Sequence, residues 1–208
     1  MPKVKIARKS TAIDMTAMCD VAFLLLTFFI LTATARQPEP LPVDTPASTV
    51  TTPQPDKDIG TVTIGKGKVF FGVKEPAIRR SMLEKMSGIY HIPFTEDEKK
   101  RFSLMESFGV DMNNLKTIIN LDNTQRNKEG FQPGIPTDSV GDTRSQLAEW
   151  IYQARYATKE INNADMRLSI KGDAPEEYPA IQKVIKIVQA QNLNKFSLIT
   201  SLRAAEKK

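Results

Sequence analysis

The chain of 208 residues is poor in the side chains that build disulfides and metal sites: it has one cysteine and one histidine. A single cysteine, Cys19, excludes an intrachain disulfide. His91, predicted in a loop, has no neighbouring cysteine or histidine at zinc-site spacing. No nucleophile or carboxylate pair stands out at a recognisable spacing either. We therefore expect no metal, no cofactor and no enzymatic activity.

The chain also lacks a strong excess of positive charge outside its N-terminus. The net charge is +5, with 29 basic and 24 acidic residues. Four of the basic residues, Lys3, Lys5, Arg8 and Lys9, lie at the N-terminus, and the remaining charge is nearly balanced. Such a surface is a mixed, solvated one, and it argues against a nucleic-acid partner.

The longest apolar segment is AMCDVAFLLLTFFILTATA, residues 17–35, with one acid and neither proline nor glycine. Its length predicts a transmembrane helix, placed at 13–36, because about 20 helical residues cross a bilayer core. The preceding basic residues place a tail of residues 1–12 in the cytoplasm and the rest of the chain across the membrane. Ala33-Thr34-Ala35 also fits a signal-peptide cleavage site. The length of the segment and its acid favour a retained anchor.

Asp20 is the acid within this segment. A charge inside a spanning helix costs about 2.5–3.5 kcal/mol on insertion scales, so it indicates a functional site. At about 100° per residue, Thr16, Thr27 and Thr34 lie on the same side of the helix as Asp20. This supporting polar stripe is typical of a helix that lines a hydrated seam. The alternative is an acid that reaches the headgroups, with threonines bonded to their own backbone.

Residues 37–58 are predicted to form a linker, because they contain six prolines and few large apolar side chains. The linker could position the following domain towards a partner, or it could be a passive spacer. The remaining residues, 59–208, form one soluble domain. It opens with a hairpin whose strands, around Val62 and Phe70, are joined at 65–68. The Gly-Lys-Gly sequence of this turn lacks the spacing of a phosphate-binding loop.

Residues 75–141 are predicted to hold short helices followed by a loop at 123–141. Pro76 and Gly88 would bound the first helix, and Thr95 with Glu98 forms a capping box for the second. The last third contains a helix capped by Asp142 or Thr143, then strand, helix and strand, the last over 196–202. This order predicts a parallel βαβ unit. The fold class is therefore α/β, with helices packed on one face of a mixed sheet.

The segment IDMTAMCDVAFLLLTFFILTAT, residues 13–34, resembles the N-terminal signature of the ExbD/TolR family of biopolymer transporters. Asp14, at the start of the helix, and Thr16, Asp20 and Val21 occupy matching positions, whereas Ala17 replaces the usual proline. The segments VTIGKGKVFFGV, LAEWIYQA and the last βαβ unit resemble the periplasmic domain of the family. Residues 75–141 form an insertion relative to that domain, either a docking element or a decoration.

The resemblance implies a single-pass subunit of the bacterial inner membrane, with its C-terminal domain in the periplasm. Asp20 would couple the proton motive force to mechanical work on a TonB- or TolA-like partner, together with an ExbB/TolQ-like channel subunit. A homodimer is expected. Import across the outer membrane is favoured over a TolR-like role in outer-membrane integrity. A passive, membrane-anchored envelope scaffold is the alternative from a different class.

Overall fold

The computed structural model describes residues 15–33, 40–48, 57–128, 130–139, 144–174, 176, 178–193 and 196–202. The chain divides into two compact units, Met1–Gln37 and Pro38–Lys208. The first unit contains helix α1, Met15–Thr32, which is long and apolar enough to cross a membrane. Its ends fall inside the predicted span of 13–36. The outermost predicted positions, including Asp14 and Thr34, lie outside the described residues.

The second unit is built on a four-stranded mixed sheet whose strands are β2, Ile59–Gly65, β3, Lys68–Val73, β4, Arg167–Gly172, and β5, Phe196–Ile199. Their order in the sheet is β3-β2-β4-β5. Strands β2 and β3 are antiparallel, whereas β4 is parallel to both β2 and β5. Along β2, Val62 and Ile64 are fully buried while the threonines beside them are half-buried. The predicted mixed α/β fold is confirmed.

The hairpin between β2 and β3 is confirmed. Lys66 and Gly67 form its two-residue turn, with φ angles of 52° and 70°. Positive φ at both central positions matches the right-handed twist of the flanking strands, and glycine adopts it readily. The amide of Gly67 donates to the carboxylate of Glu176 at 3.2 Å. Gly67 therefore serves the turn, whereas Gly65 is the last residue of β2.

The predicted parallel βαβ unit is also present: β4, then helix α7, Tyr178–Gln189, then β5. Its end differs from the prediction of one strand over 196–202. A short strand β6, Ser201–Leu202, leaves the main sheet and pairs in parallel with β1, Ala47–Ser48. Because β1 belongs to the segment predicted as linker, this second sheet could not be seen from either segment alone.

The described part of residues 75–141, the predicted insertion, contains four helices: α2, Pro76–Tyr90, α3, Glu96–Ser103, α4, Met112–Asn120, and α5, Asn123–Arg126. Helix α2 continues past Gly88 to Tyr90, and its C-cap is His91, which is exposed and adopts a left-handed φ of 55°. Helix α5 lies where a loop was predicted. Helix α6, Gln146–Asn162, then follows, and its N-cap is Ser145, whose hydroxyl accepts from the amide of Ala148. This corrects the predicted cap at 142–143.

The insertion is bonded to the outer edge of the sheet through β3. Phe71 and Phe108 exchange two backbone hydrogen bonds, of 2.9 and 3.0 Å, and the amide of Ile135 donates to the carbonyl of Val69 at 2.8 Å. These contacts cover the exposed edge of β3, which would otherwise be open to pairing with another chain. The insertion is therefore part of the domain and is not a separate appendage.

An aromatic cluster joins the insertion to the rest of the core. The ring of Trp150, on α6, lies 6.0 Å from the ring of Phe102 and 4.8 Å from that of Phe108. Phe71, on β3, packs against Phe108 with ring centroids 6.5 Å apart. All four side chains are fully or almost fully buried. One continuous core therefore includes the sheet, α6 and the insertion.

Replacing Gly72 with Ala should loosen the insertion from β3. A Cβ atom at this position would lie 2.1 Å from the carbonyl oxygen of Glu106, a backbone atom that cannot move alone. We expect a loss of about 1–3 kcal/mol of unfolding free energy, typical of overpacking. Chemical denaturation followed by circular dichroism measures it. The control is Gly88→Ala, where nothing lies within 4 Å of the new Cβ atom. Equal stability of both variants would contradict this packing.

The predicted capping box of α3 is present. The amide of Thr95 donates to the Glu98 carboxylate at 2.8 Å, and the Thr95 hydroxyl accepts from the amide of Glu98 at 3.3 Å. Burial raises the pKa of Glu98. Hydrogen bonds from Thr95 and Asn120, with the charge of Lys116, more than offset this effect, and its pKa lies below the usual range.

Replacing Glu98 with Ala should therefore destabilise the fold in a pH-dependent way. The pKa of Glu98 is lower in the folded protein than in the unfolded chain. The carboxylate therefore stabilises the fold at pH values above the ordinary pKa of glutamate, and this contribution is lost as the pH falls through the lowered pKa. We expect a loss of about 1 kcal/mol at neutral pH, typical of a cap, and a smaller loss near pH 3. Denaturation at both pH values measures it. Asp97→Ala, which removes an exposed charge from the same turn, is the control.

Candidate functional site

Asp20 lies in the N-terminal half of α1 and is the only charged residue of that helix. It follows Met15 by five positions, which places it about 7.5 Å along the axis from the start of the helix. The helix has no proline or glycine, and its described side chains are exposed or half-buried within their own unit. Its outer surface therefore consists of apolar side chains that need lipid or other helices around them, with one carboxyl group among them.

The structure describes three of the four positions of the predicted polar stripe: Thr16, Asp20 and Thr27. The regular helix places them on one side, since seven residues nearly complete two turns. The Thr27 hydroxyl donates to the carbonyl of Leu24 at 2.9 Å. Thr32, which the stripe did not include, donates to the carbonyl of Phe28 at 2.7 Å. Thr27 therefore bonds to its own helix and is not bonded to Asp20.

Part of the predicted linker is docked on the second unit. Leu41 is buried, and the amide of Asp44 donates to Asp173 Oδ1 at 2.9 Å. In return, the amide of Ala174 donates to the carbonyl of Asp44 at 2.8 Å. A Cβ atom at Gly65 would lie only 2.7 Å from a methyl group of Val43. Residues 40–48 are thus packed chain, which differs from a free tether over the whole of 37–58.

A second feature of this unit is an open groove of about 1040 Å³ between the exposed side of α6 and the first residues of β4 and β5. We call it the α6 groove. The α6 side chains that line it are Tyr152, Arg155, Tyr156 and Lys159. Sequence reasoning missed it, although the spacing of these four residues by three and four positions places them on one side of a helix.

Within the described residues, no group of three or more histidine, cysteine or acidic side chains is arranged to hold a metal ion. Cys19 is a free, exposed thiol beside Asp20 on α1. Neither unit contains a nucleophile, base and orienting group assembled as a catalytic set among the described contacts. The distinctive group of α1 is its single carboxyl group, that of Asp20.

The chain is similar to a known protein family. A family model described as "Biopolymer transport protein ExbD/TolR" matches residues 7–203, nearly the whole chain. The match includes α1 and extends through β6. No curated protein and no solved structure matches the chain.

Proposed function

Because the chain belongs to the ExbD/TolR family of biopolymer transport proteins, we propose that it is a membrane subunit in which Asp20 couples proton movement to mechanical work. The family match supports the broader role in energised biopolymer transport. The finer role depends on one observation: a single carboxyl group interrupts an otherwise apolar, regular helix of 18 residues. Such a group is costly in lipid and is kept where it functions.

The proposed cycle needs only this carboxyl group. Asp20 takes up a proton from the periplasmic side, becomes neutral, and releases the proton towards the cytoplasm. One charge that crosses 100 mV supplies about 2.3 kcal/mol, so several protons are needed for a useful mechanical stroke. The charged carboxylate is stabilised by polar or hydrated surroundings, whereas the neutral carboxyl group tolerates apolar surroundings. This change drives rotation or shear of α1 against the helices that surround it.

These surroundings are proposed to be an ExbB/TolQ-like channel subunit, because the carboxyl group of Asp20 is costly in lipid and needs a polar partner or a hydrated seam between helices. The work is delivered to a TonB- or TolA-like partner through the second unit. The basic residues 3–9 support a cytoplasmic N-terminus and a periplasmic second unit in the inner membrane. A homodimer would place two copies of Asp20 within one channel complex.

One observation favours a passive scaffold as the second candidate. The Thr27 hydroxyl is engaged by the carbonyl of Leu24, so this part of the polar stripe does not contact Asp20. In a scaffold the acid would be structural, and its charge would not change during function. A substitution that keeps the shape of the side chain but prevents its protonation separates the two candidates.

The experiment that tests the proposed function is complementation. The full chain and its channel partner are produced in a bacterial strain that lacks its own members of this family. Energy-dependent import across the outer membrane and resistance to detergent are then measured. Restored import supports the ExbD-like role, and restored detergent resistance alone supports the TolR-like role. If both functions stay absent while the complex is present in the membrane, the energy-transducing role is wrong.

A further inference from the structure

Cations outnumber acids around the α6 groove. Its lining includes Arg155, Lys159 and Arg167 but only one acid, Asp165. Asp165 is paired with Lys159 at 3.1 Å. Arg155 donates to the backbone carbonyl of Gln191 at 3.2 Å, and neither arginine forms an ion pair with a residue in the described part of the chain. Two guanidinium groups are therefore available to carboxylates from outside.

Two further cations lie at the rim, each placed over an aromatic ring. The Lys85 ammonium lies 4.5 Å from the centre of the Tyr156 ring, and the Arg144 guanidinium lies 4.5 Å from that of Tyr152. The two tyrosines are 56% and 39% exposed, respectively. A cation over a ring face is held in position without losing its charge. Both cations are also ion-paired, Lys85 with Glu160 at 2.8 Å and Arg144 with Glu149 at 3.9 Å. The excess positive charge of the rim is therefore that of Arg155 and Arg167, beside the two exposed tyrosines.

The floor of the groove is apolar. Met166, just before β4, and Leu168, within it, are buried there, and the half-buried Leu193 and Phe196 complete the floor. A ligand that fills the groove would cover these side chains while its charged groups meet the rim. The site therefore suits a molecule with both negative charges and apolar side groups.

We propose that the α6 groove binds an extended, acidic segment of a partner polypeptide, with carboxylates on Arg155 and Arg167 and an apolar side chain on the floor. Charge complementarity between such a segment and the rim supplies both attraction and orientation. This inference goes beyond the proposed proton role, because it concerns the second unit alone and does not require Asp20.

Other occupants fit the groove less well. A flat membrane surface cannot follow a concave groove. A carboxylated sugar chain would stack on the tyrosine faces, but Lys85 and Arg144 already cover one face of each ring. The outermost segments of the chain itself are basic: residues 1–14 contain four basic residues and one acid, and residues 203–208 contain three and one. A partner protein is the occupant that remains.

The proposal also gives the insertion a role. Lys85 belongs to α2, which packs along α6, and its ammonium forms an ion pair of 2.8 Å with Glu160 of α6. This pair holds the ammonium over the Tyr156 ring. The insertion therefore places one cation against a ring that lines the groove, in addition to covering the edge of β3.

The test uses the full chain in detergent micelles and a fluorescent peptide in which glutamates alternate with leucine and proline. Binding is measured by fluorescence anisotropy at low and high salt. The double variant Arg155→Glu/Arg167→Glu should weaken binding by about tenfold or more, because it replaces both proposed attractions with repulsions. Lys85→Ala should weaken it by about threefold, through loss of one cation. High salt should weaken binding to the unaltered protein.

The matched control is Lys100→Glu/Lys128→Glu, which reverses two exposed charges of the insertion that do not line the groove. Its affinity should stay within about twofold of the unaltered protein. Circular dichroism establishes that all variants are folded. Equal weakening in both double variants would overturn the proposal, as would equal binding of a peptide in which serine replaces leucine. Binding of an acidic oligosaccharide but not of the peptide would also overturn it.

The Asp20→Asn variant should bind the peptide as the unaltered protein does. Failure of the groove proposal therefore leaves the proton role standing, and failure of the proton role leaves the groove standing.

Discussion

Transport should fall to the level of a strain without the protein when Asp20 is replaced by asparagine. Asparagine has the same shape as aspartate but can neither take up nor release a proton at this position. We expect proton flux through the reconstituted complex to fall by about a hundredfold or more, the usual range for removing a group that transfers protons. A pH-sensitive dye inside proteoliposomes measures this flux, and ligand uptake by whole cells measures transport.

Three controls make this result specific to protonation. Asp20→Asn removes a charge from the membrane, so the amount of inserted protein should be unchanged or higher. Asp20→Glu keeps a titratable group and should retain part of the flux. Thr27→Ala removes a hydroxyl that bonds to the carbonyl of Leu24, and it should retain most of the flux. Full transport by the asparagine variant would contradict the proton role and support the passive scaffold.

Replacing Trp150 with Ala should have the largest effect on stability. Its ring is fully buried and contacts Phe102 and Phe108, so the substitution opens a cavity between α6 and the insertion. A buried tryptophan replaced by alanine costs about 3–5 kcal/mol. This is a large part of the total stability of a domain of about 150 residues. Because Trp150 is the only tryptophan, denaturation must be followed by circular dichroism.

A second variant separates packing from hydrogen bonding at this position. The indole nitrogen of Trp150 is buried and has no hydrogen-bond partner among the described residues. Trp150→Phe removes this unsatisfied donor and keeps most of the ring, so it should cost less than half as much as alanine. Tyr178→Ala, at a position that is 67% exposed, is the control for losing an aromatic side chain. Equal losses in all three variants would contradict the central position of Trp150.

The insertion at residues 75–141 could be predicted as helices but not as part of the core. The capping box at Thr95 and Glu98 is local, because both groups belong to one turn of chain. The pairing of Phe71 with Phe108 is not local, because it joins two segments that are distant in the sequence. The sequence pattern of neither segment predicts that it pairs with the other. The close approach at Gly72 depends on the same contact. Only the tertiary structure shows that residues 75–141 share one hydrophobic core with the rest of the domain.

Residues 40–48 of the predicted linker are a second case in which local sequence does not predict tertiary contacts. Its prolines favour extended chain, and this local preference is correct for a short strand. Whether that strand is free or docked depends on which groups of the rest of the domain pack against it. Asp173 and Gly65 provide an acceptor and an open space, and both lie far from residues 40–48 in the sequence. Composition therefore predicted its conformation but not its location.

The sequence by itself determined the apolar helix, its one acid, the hairpin and the parallel βαβ unit, since each depends on periodicity and turn chemistry within a short segment. The tertiary structure decided the docking of residues 40–48, the aromatic cluster around Trp150 and the α6 groove. These features bring together side chains from distant segments. The physical reason is that local patterns record which side of an element is apolar, whereas packing decides which other element covers it.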